Sequence, residues 1–237
     1  MVALTVARLG VRATRRTPLQ PIRRSLSSRV TGGADDPPGD PPPLPGPWQR
    51  TYDASDDDEM REAYALWAPT YDDDSMVRFG YAGPTAAASA LIRHLRRGGP
   101  AGESEGGGAV RVLDAGCGTG LVGRELARLA PASLLERTEL VGVDYSEAML
   151  AEAARKVRPG GRPLYDSLRA ADLRRLASIY GGGTFDAAVC VGTLTPGHCG
   201  VDVLDELVRA VCAPGGLVVL TLRMDFHEDV EEGVGSR

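Results

Sequence analysis

The chain has 237 residues, of which 43% are hydrophobic, and this fits one globular domain of common size with extensions. Seven of its 27 basic residues lie in residues 1–34, which contain no acid, so the remainder is strongly acidic and DNA or RNA is disfavoured as a partner. No apolar run approaches the ~18 residues of a membrane span, and the four cysteines show no zinc-ligand or disulfide spacing, so we expect neither a span nor a metal site.

The basic N-terminal segment, residues 1–34, has the composition of a mitochondrial or chloroplast transit peptide. An untargeted disordered tail is the alternative, and the location would then be cytoplasmic. Residues 35–54 are rich in Pro, Gly and Asp, which predicts an extended linker. We therefore expect residues 1–54 to lie outside the folded domain.

Two helices are predicted over residues 55–97. Ser55 is the expected N-cap of the first, because four acidic residues follow it directly. Tyr64 and Trp67 share one face of this helix, which either covers a ligand or packs on the sheet. A Gly-rich loop is predicted at 98–108.

A glycine-rich turn after a buried predicted strand organises the domain that we expect at 109–223. The turn reads Asp114, Ala115, Gly116, Cys117, Gly118, Thr119, Gly120. A dinucleotide fingerprint needs a further glycine where this chain has Leu121. Asp114 would also repel a pyrophosphate, whereas it suits an ammonium or sulfonium group. The pattern therefore predicts a nucleotide-type binding corner for a cationic ligand.

The second predicted strand, 140–144, ends at Asp144, which lies 24 residues beyond Gly120. This is close to the spacing at which an acid reaches a ribose in nucleotide-binding α/β units. Capping of the next helix is the alternative for Asp144, in competition with Ser146. A weaker third strand at 165–170 leads to Asp172. This residue could bind a ligand at the end of its strand, or it could cap the next helix.

Two further apolar strands are predicted at 185–192 and 217–222, separated by an amphipathic helix and a Pro-Gly-Gly stop. Alternating strands and helices predict a doubly wound α/β domain with a parallel sheet in the order 3-2-1-4-5. The ligand should lie at the carboxyl ends of the first and fourth strands.

These motifs together resemble the class I S-adenosylmethionine-dependent methyltransferases over about residues 60–223. In that family the acid-x-Gly-x-Gly-x-Gly turn holds the amino acid end of the cofactor, the acid at the position of Asp144 binds ribose, and an acid at the position of Asp172 binds the adenine amino group. The string Tyr64-x-x-Trp67-Ala68-x-x-Tyr71 resembles a segment that folds over the cofactor. The cofactor-binding residues that the resemblance implies are Asp114, Ala115, Gly116, Cys117, Gly118, Gly120, Asp144, Tyr145, Met149, Asp172, Leu173, Val191, Tyr64, Trp67 and Tyr71.

The resemblance implies S-adenosylmethionine as cofactor and a small-molecule rather than a protein acceptor. The exit of the fourth strand, Val191-Gly192-Thr193-Leu194, is similar to the methyltransferase-like group of the Williams–Beuren syndrome region. No catalytic residue is assigned: His198 titrates near neutrality, but an exposed loop histidine is the favoured interpretation. A nicotinamide-dependent oxidoreductase and a cofactor-binding assembly protein without turnover remain the alternatives.

The chain departs from the family after the fifth strand. The family continues into strands six and seven, whereas here only an acidic tail follows at 224–237. The edge at Val218, Val219 and Leu220 is therefore expected to be unpaired and to favour self-association, unless a partner covers it.

Overall fold

A computed structural model describes the chain at residues 2–8 (backbone only), 46–96, 109–194, 202–211 and 216–223. The strands are β1 (Val2–Arg8), β2 (Val110–Ala115), β3 (Thr138–Asp144), β4 (Ser167–Ala170), β5 (Ala187–Leu194) and β6 (Leu217–Arg223). The helices are α1 (Arg50–Asp53), α2 (Asp57–Trp67), α3 (Tyr71–Asp73), α4 (Gly83–Arg96), α5 (Leu121–Leu129), α6 (Ala132–Glu136), α7 (Glu147–Ala154), α8 (Leu176–Tyr180) and α9 (Asp202–Ala210). Short 3-10 turns at Pro47–Gln49 and Leu173–Arg175 and a π turn at Asp74–Arg78 complete the described elements.

The six strands form one sheet in the order β1-β6-β5-β2-β3-β4. Strands β2 to β6 are parallel, and they reproduce the predicted order 3-2-1-4-5. The prediction of a doubly wound α/β fold is confirmed. Because the order reverses between β2 and β5, a crevice opens at the carboxyl ends of these two strands.

Apolar side chains fill both faces of the sheet. On one face, Leu91 of α4 and Leu126 of α5 pack with Val112 of β2. On the other face, Leu207 of α9 packs with Phe185 and Leu113, all fully buried. Strands covered on both faces are expected to be continuous apolar runs, which is why β2, β3, β5 and β6 could be recognised in the sequence.

The edge of the sheet differs from the prediction. Strand β1 pairs antiparallel with β6 over seven residues, from Val2 opposite Arg223 to Arg8 opposite Leu217. The expectation that the Val218–Leu220 edge is unpaired was therefore wrong, and so was the exclusion of the whole basic segment from the fold. Residues 2–7 of the basic segment read Val-Ala-Leu-Thr-Val-Ala, and this largely apolar sequence favours a β-strand. The strand was not predicted, because the arginines around it are typical of a transit peptide.

The linker prediction was also wrong at its end. Residues 47–53 form a 3-10 turn and α1, and the Trp48 ring contacts the Phe79 ring edge-on at 5.5 Å. The N-cap of α2 is Asp56 rather than Ser55, since its carboxylate accepts hydrogen bonds from the Asp58 and Glu59 amides at 2.9 Å. Ser55 instead donates from its amide and hydroxyl to the Glu59 carboxylate at 2.8 Å.

Several predicted features lie outside the described residues: the loop 98–108, the tail 224–237, His198, and the basic and linker segments between residues 9 and 45. Within the described ranges, no helix is long and apolar enough to cross a membrane. The same ranges hold no cluster of three or more His, Cys, Asp or Glu side chains suited to a metal ion.

Candidate functional site

A cavity of about 320 Å³ lies at the carboxyl ends of β2 to β5, beneath α2 and α3. Its lining combines carboxylates, two guanidinium groups, tyrosine rings and glycine backbone. The lining residues are Asp57, Met60, Arg61, Tyr64, Tyr71, Gly116, Gly118, Asp144, Tyr145, Met149, Ala170, Ala171, Asp172, Leu173, Arg174, Val191, Gly192 and Thr193. The cavity thus occupies the crevice that the strand order predicts for a ligand.

The glycine-rich turn forms the floor of the cavity and depends on Gly116. This residue has φ +71°, and a Cβ there would lie 2.1 Å from Thr193 Oγ1, so both conformation and space require glycine. The amides of Gly116 and Cys117 donate to the Val143 carbonyl at 2.8 and 3.0 Å, which fastens the turn to β3. Gly118 has φ +53°, and nothing lies within 4 Å of where its Cβ would be. The turn therefore presents open backbone to the cavity.

Asp144 joins this turn to the end of β3. One carboxylate oxygen accepts from the Gly118 amide at 2.8 Å, and the other accepts from the Ser146 amide at 2.9 Å. Burial raises the pKa of Asp144, and the hydrogen bonds from Ser146 and Gly118 oppose that shift. Ser146, rather than Asp144, caps α7 by accepting from the Met149 amide at 3.4 Å. Because a carboxylate offers about four acceptor positions, Asp144 can still accept hydroxyl groups from the cavity.

Asp172 also lines the cavity, just beyond the end of β4, and its carboxylate already accepts hydrogen bonds within the protein. It caps the 3-10 turn by accepting from the Arg174 amide at 2.9 Å, and the Arg174 guanidinium contacts the same carboxylate at 2.9 Å. Burial acts to raise the pKa of Asp172, but the hydrogen bonds from Arg174 hold that pKa below its ordinary value. Arg174 also reaches Asp57 of α2 at 2.9 Å. The capping alternative is therefore realised, and any ligand contact must coexist with it.

Asp114, for which the resemblance implies a part in cofactor binding, is not among the residues that line the cavity. Its side chain is fully buried, and its Oδ2 accepts from the Tyr165 hydroxyl at 2.7 Å. Its Oδ1 is buried with no hydrogen-bond partner among the described residues. Burial raises the pKa of Asp114 to about 7, the Tyr165 hydrogen bond lowers it, and the nearby Asp144 charge raises it. The carboxyl thus lies beneath the turn and points into the protein.

Two of the three aromatic residues in the predicted segment line the cavity, and the third packs behind them. Tyr64 and Tyr71 line the cavity, whereas Trp67 lies behind them, 9% exposed, with ring centroids 6.1 and 4.6 Å from theirs. The Trp67 indole donates to Asp74 at 2.9 Å, which fixes its orientation. Burial raises the pKa of both tyrosines, so their hydroxyl groups stay protonated at neutral pH.

Ten of the fifteen predicted residues therefore surround one cavity: Gly116, Gly118, Asp144, Tyr145, Met149, Asp172, Leu173, Val191, Tyr64 and Tyr71. The other five lie beside or beneath it: Asp114, Ala115, Cys117, Gly120 and Trp67. Among the residues missed, Arg61 lies over the Tyr145 ring at 5.5 Å, and Arg174 links Asp172 to Asp57. The helical spacing of Arg61 to Tyr64 could have indicated the first, but no sequence pattern separates Arg174 from its neighbour Arg175.

Residues 112–216 match the family model described as "Methyltransferase domain". Over 160 residues the chain is 38% identical to Methyltransferase-like protein 27 of Homo sapiens, covering 68% of this chain and 56% of that protein. It is 31% identical over 121 residues to malonyl-[acyl-carrier protein] O-methyltransferase of Legionella pneumophila, covering 51% of this chain and 39% of that protein. The chain thus spans about half the length, or less, of these curated relatives.

Among solved structures, an amino pentose methyltransferase from Micromonospora echinaspora with S-adenosylmethionine bound is 29% identical. The similarity covers 60% of this chain and 54% of that protein, with a TM-score of 0.40. The family match includes most of β2 and all of β3, β4 and β5, with the glycine-rich turn and Asp144. Gly116 and Gly118 of this turn line the same cavity as Asp144. Residues 112–216 therefore match a methyltransferase domain, and they lie within the doubly wound α/β fold that the sequence predicts.

Proposed function

We propose that the chain binds S-adenosylmethionine in this cavity and transfers its methyl group to a small-molecule acceptor. The observation that carries the proposal is Asp144, which lines the cavity while its carboxylate holds the Gly118 amide of the turn. One carboxylate thus links the floor of the cavity to the position from which a ribose would be bound.

The residues present fit this cofactor. A cavity of about 320 Å³ is within the range of roughly 300–1,000 Å³ that holds small molecules and cofactors. Gly118 leaves space for close approach of a ligand to the backbone, and Met149 and Leu173 supply apolar surface for a planar base. Tyr64 and Tyr71 offer ring faces, which attract a positively charged group.

When bound, S-adenosylmethionine supplies a methyl group on a positively charged sulfur. The chain's own contribution is then to orient the ligand and to exclude water. The described lining contains no histidine, cysteine or lysine, and burial raises the pKa of its Tyr64 and Tyr71. Proton removal by the described lining would therefore fall to a carboxylate, so we favour an acceptor that needs no strong base.

The binding half of the proposal is tested by Asp144→Asn. We expect the substitution to weaken S-adenosylmethionine binding at least about tenfold, or ~1.4 kcal/mol, because the amide loses the negative charge that accepts ribose hydroxyls. Calorimetry on the full chain measures the affinity, and thermal melting verifies folding. Glu139→Gln is the matched control, since Glu139 lies at the opposite end of the same strand and pairs with Arg111. Unchanged affinity in a folded Asp144→Asn variant would remove the ribose assignment.

The catalytic half is tested by incubating the chain with methyl-labelled S-adenosylmethionine and an extract of small metabolites. Transfer of label to a small molecule supports the proposal, whereas tight binding without transfer would favour a cofactor-binding assembly protein.

The 38% identity to Methyltransferase-like protein 27 leads us to propose that this chain belongs to the methyltransferase-like group of the Williams–Beuren syndrome region. An organellar location for the chain remains a proposal that rests on the composition of residues 1–34.

A further inference from the structure

Asp72, which directly follows the cavity residue Tyr71, connects the helices above the cavity to the glycine-rich turn. Its Oδ1 accepts a hydrogen bond from the Thr119 hydroxyl at 2.5 Å, and its Oδ2 accepts one from Lys156 Nζ at 2.5 Å. Lys156 Nζ also donates to the Thr119 carbonyl oxygen at 2.6 Å, which closes a ring of three residues. Arg124 adds a second cation 3.5 Å from Asp72.

These three residues come from three parts of the fold. Asp72 lies in α3, Thr119 lies between Gly118 and Gly120, and Lys156 lies just after α7. Moving the segment that carries Tyr71 away from the turn would break both hydrogen bonds of Asp72 to the body of the domain.

The cluster is shielded enough for its charges to matter. The Asp72 and Lys156 side chains are 27% and 21% exposed, and Thr119 is 1% exposed. By contrast, the side chains of the ion pair between Asp57 of α2 and Arg174 are 66% and 50% exposed. Exposed pairs contribute about 0–1 kcal/mol, whereas partly buried pairs are screened much less by salt. Of these two attachments, the Asp72 cluster is therefore the stronger.

We propose that Asp72, Thr119 and Lys156 form a latch. It holds the cavity residues Tyr64 and Tyr71 against the glycine-rich turn and so slows release of the bound cofactor. Asp72 and Lys156 are positioning residues, because they act through Tyr71 and the turn rather than by touching the ligand. This role rests on the proposed function, since it requires that S-adenosylmethionine binds in the cavity. A latch stabilises the closed state, so its loss should raise the dissociation rate more than it lowers the association rate.

The test uses Asp72→Asn and Lys156→Met in the full chain, with Asp73→Asn as the matched control. Asp73 carries the same charge one residue away, and its side chain is exposed. Bound radiolabelled S-adenosylmethionine is chased with excess unlabelled S-adenosylmethionine to give the dissociation rate. We expect this rate to rise about tenfold in both latch variants, equivalent to ~1.4 kcal/mol, with association changed far less. Lys156→Arg, which keeps the charge, should dissociate nearly as slowly as the wild type.

Amide hydrogen exchange of the ligand-free chain gives a second readout, independent of the cofactor. We expect faster exchange across α2, α3 and the π turn in Asp72→Asn, and no change in Asp73→Asn. If the wild type binds S-adenosylmethionine but the latch variants release it at the wild-type rate, the latch is refuted and the proposed function stands. If the wild type binds none, the proposed function fails and the latch with it.

Discussion

The buried carboxyl of Asp114 predicts an unusual dependence of stability on pH. Its side chain is fully buried, one oxygen accepts from Tyr165, and the other has no partner among the described residues. Burial raises its pKa from the ordinary 3.8 to about 7. Between these two values the folded protein holds a proton at Asp114 that the unfolded chain has released. The stability contribution is therefore complete below pH 3.8 and is lost as the pH rises to about 7.

The size of the effect follows from the shift. Each pH unit in this window corresponds to about 1.4 kcal/mol, so raising the pH from 5 to 8 should cost the wild type about 3 kcal/mol through Asp114. Asp114→Asn keeps the shape and the acceptor for Tyr165 but cannot ionise. Its own packing cost is the same at every pH, so the difference between variant and wild type isolates the titration.

Urea unfolding at several pH values between 5 and 8 measures this difference. We expect the free energy of unfolding of Asp114→Asn, relative to the wild type, to increase by about 3 kcal/mol across the range. Asp73→Asn, a change of the same kind at an exposed position, should give a curve parallel to the wild type. Parallel curves for Asp114→Asn and the wild type would show that Asp114 ionises at its ordinary pKa and would refute the reasoning.

Two further predictions concern the architecture. Gly116→Ala should lower the free energy of unfolding by about 1–2 kcal/mol or more, because the residue has φ +71° and its Cβ would clash with Thr193. Adding Thr193→Ala should remove the clash but not the cost of the positive φ, so urea unfolding should show only a partial recovery of stability. Thr5→Pro and Val6→Pro, made separately, should differ in stability. Only alternate residues of an antiparallel edge strand donate amide hydrogen bonds to the neighbouring strand, so one variant loses a hydrogen bond to β6 and the other does not. The variant that loses the bond should melt at lower temperature and self-associate, by scanning fluorimetry and light scattering, and equal behaviour of the two would argue against the β1–β6 pairing.

The sequence predicted the parallel sheet because buried parallel strands are continuous apolar runs and because Gly and Pro mark where they end. Strand β1 escaped prediction for the opposite reason: its β-forming residues lie within a segment whose arginines are typical of targeting sequences. The start of α2 was predicted to within one residue, since Ser55 and Asp56 are both good caps and only the fold decides between them.

At the site, the family resemblance indicated which residues approach the cavity but not which way each side chain points. Asp114 and Asp144 both lie at the carboxyl ends of parallel strands, yet one carboxyl contacts Tyr165 in the interior and the other lines the cavity. The latch could not be predicted either, because Asp72 and Lys156 are 84 residues apart and meet only in the folded domain. Such long-range polar pairs leave no periodic signal in a single sequence.

The proposed binding site is tested most directly by titrating the isotopically labelled full chain with S-adenosylmethionine and following backbone amide resonances. We expect saturable shifts at one equivalent, concentrated at Gly118, Asp144, Tyr145 and Asp172, with the Val110–Arg111 end of β2 unaffected. Absence of shifts at saturating ligand, or shifts confined to residues remote from the cavity, would contradict the assignment of this cavity as the cofactor site.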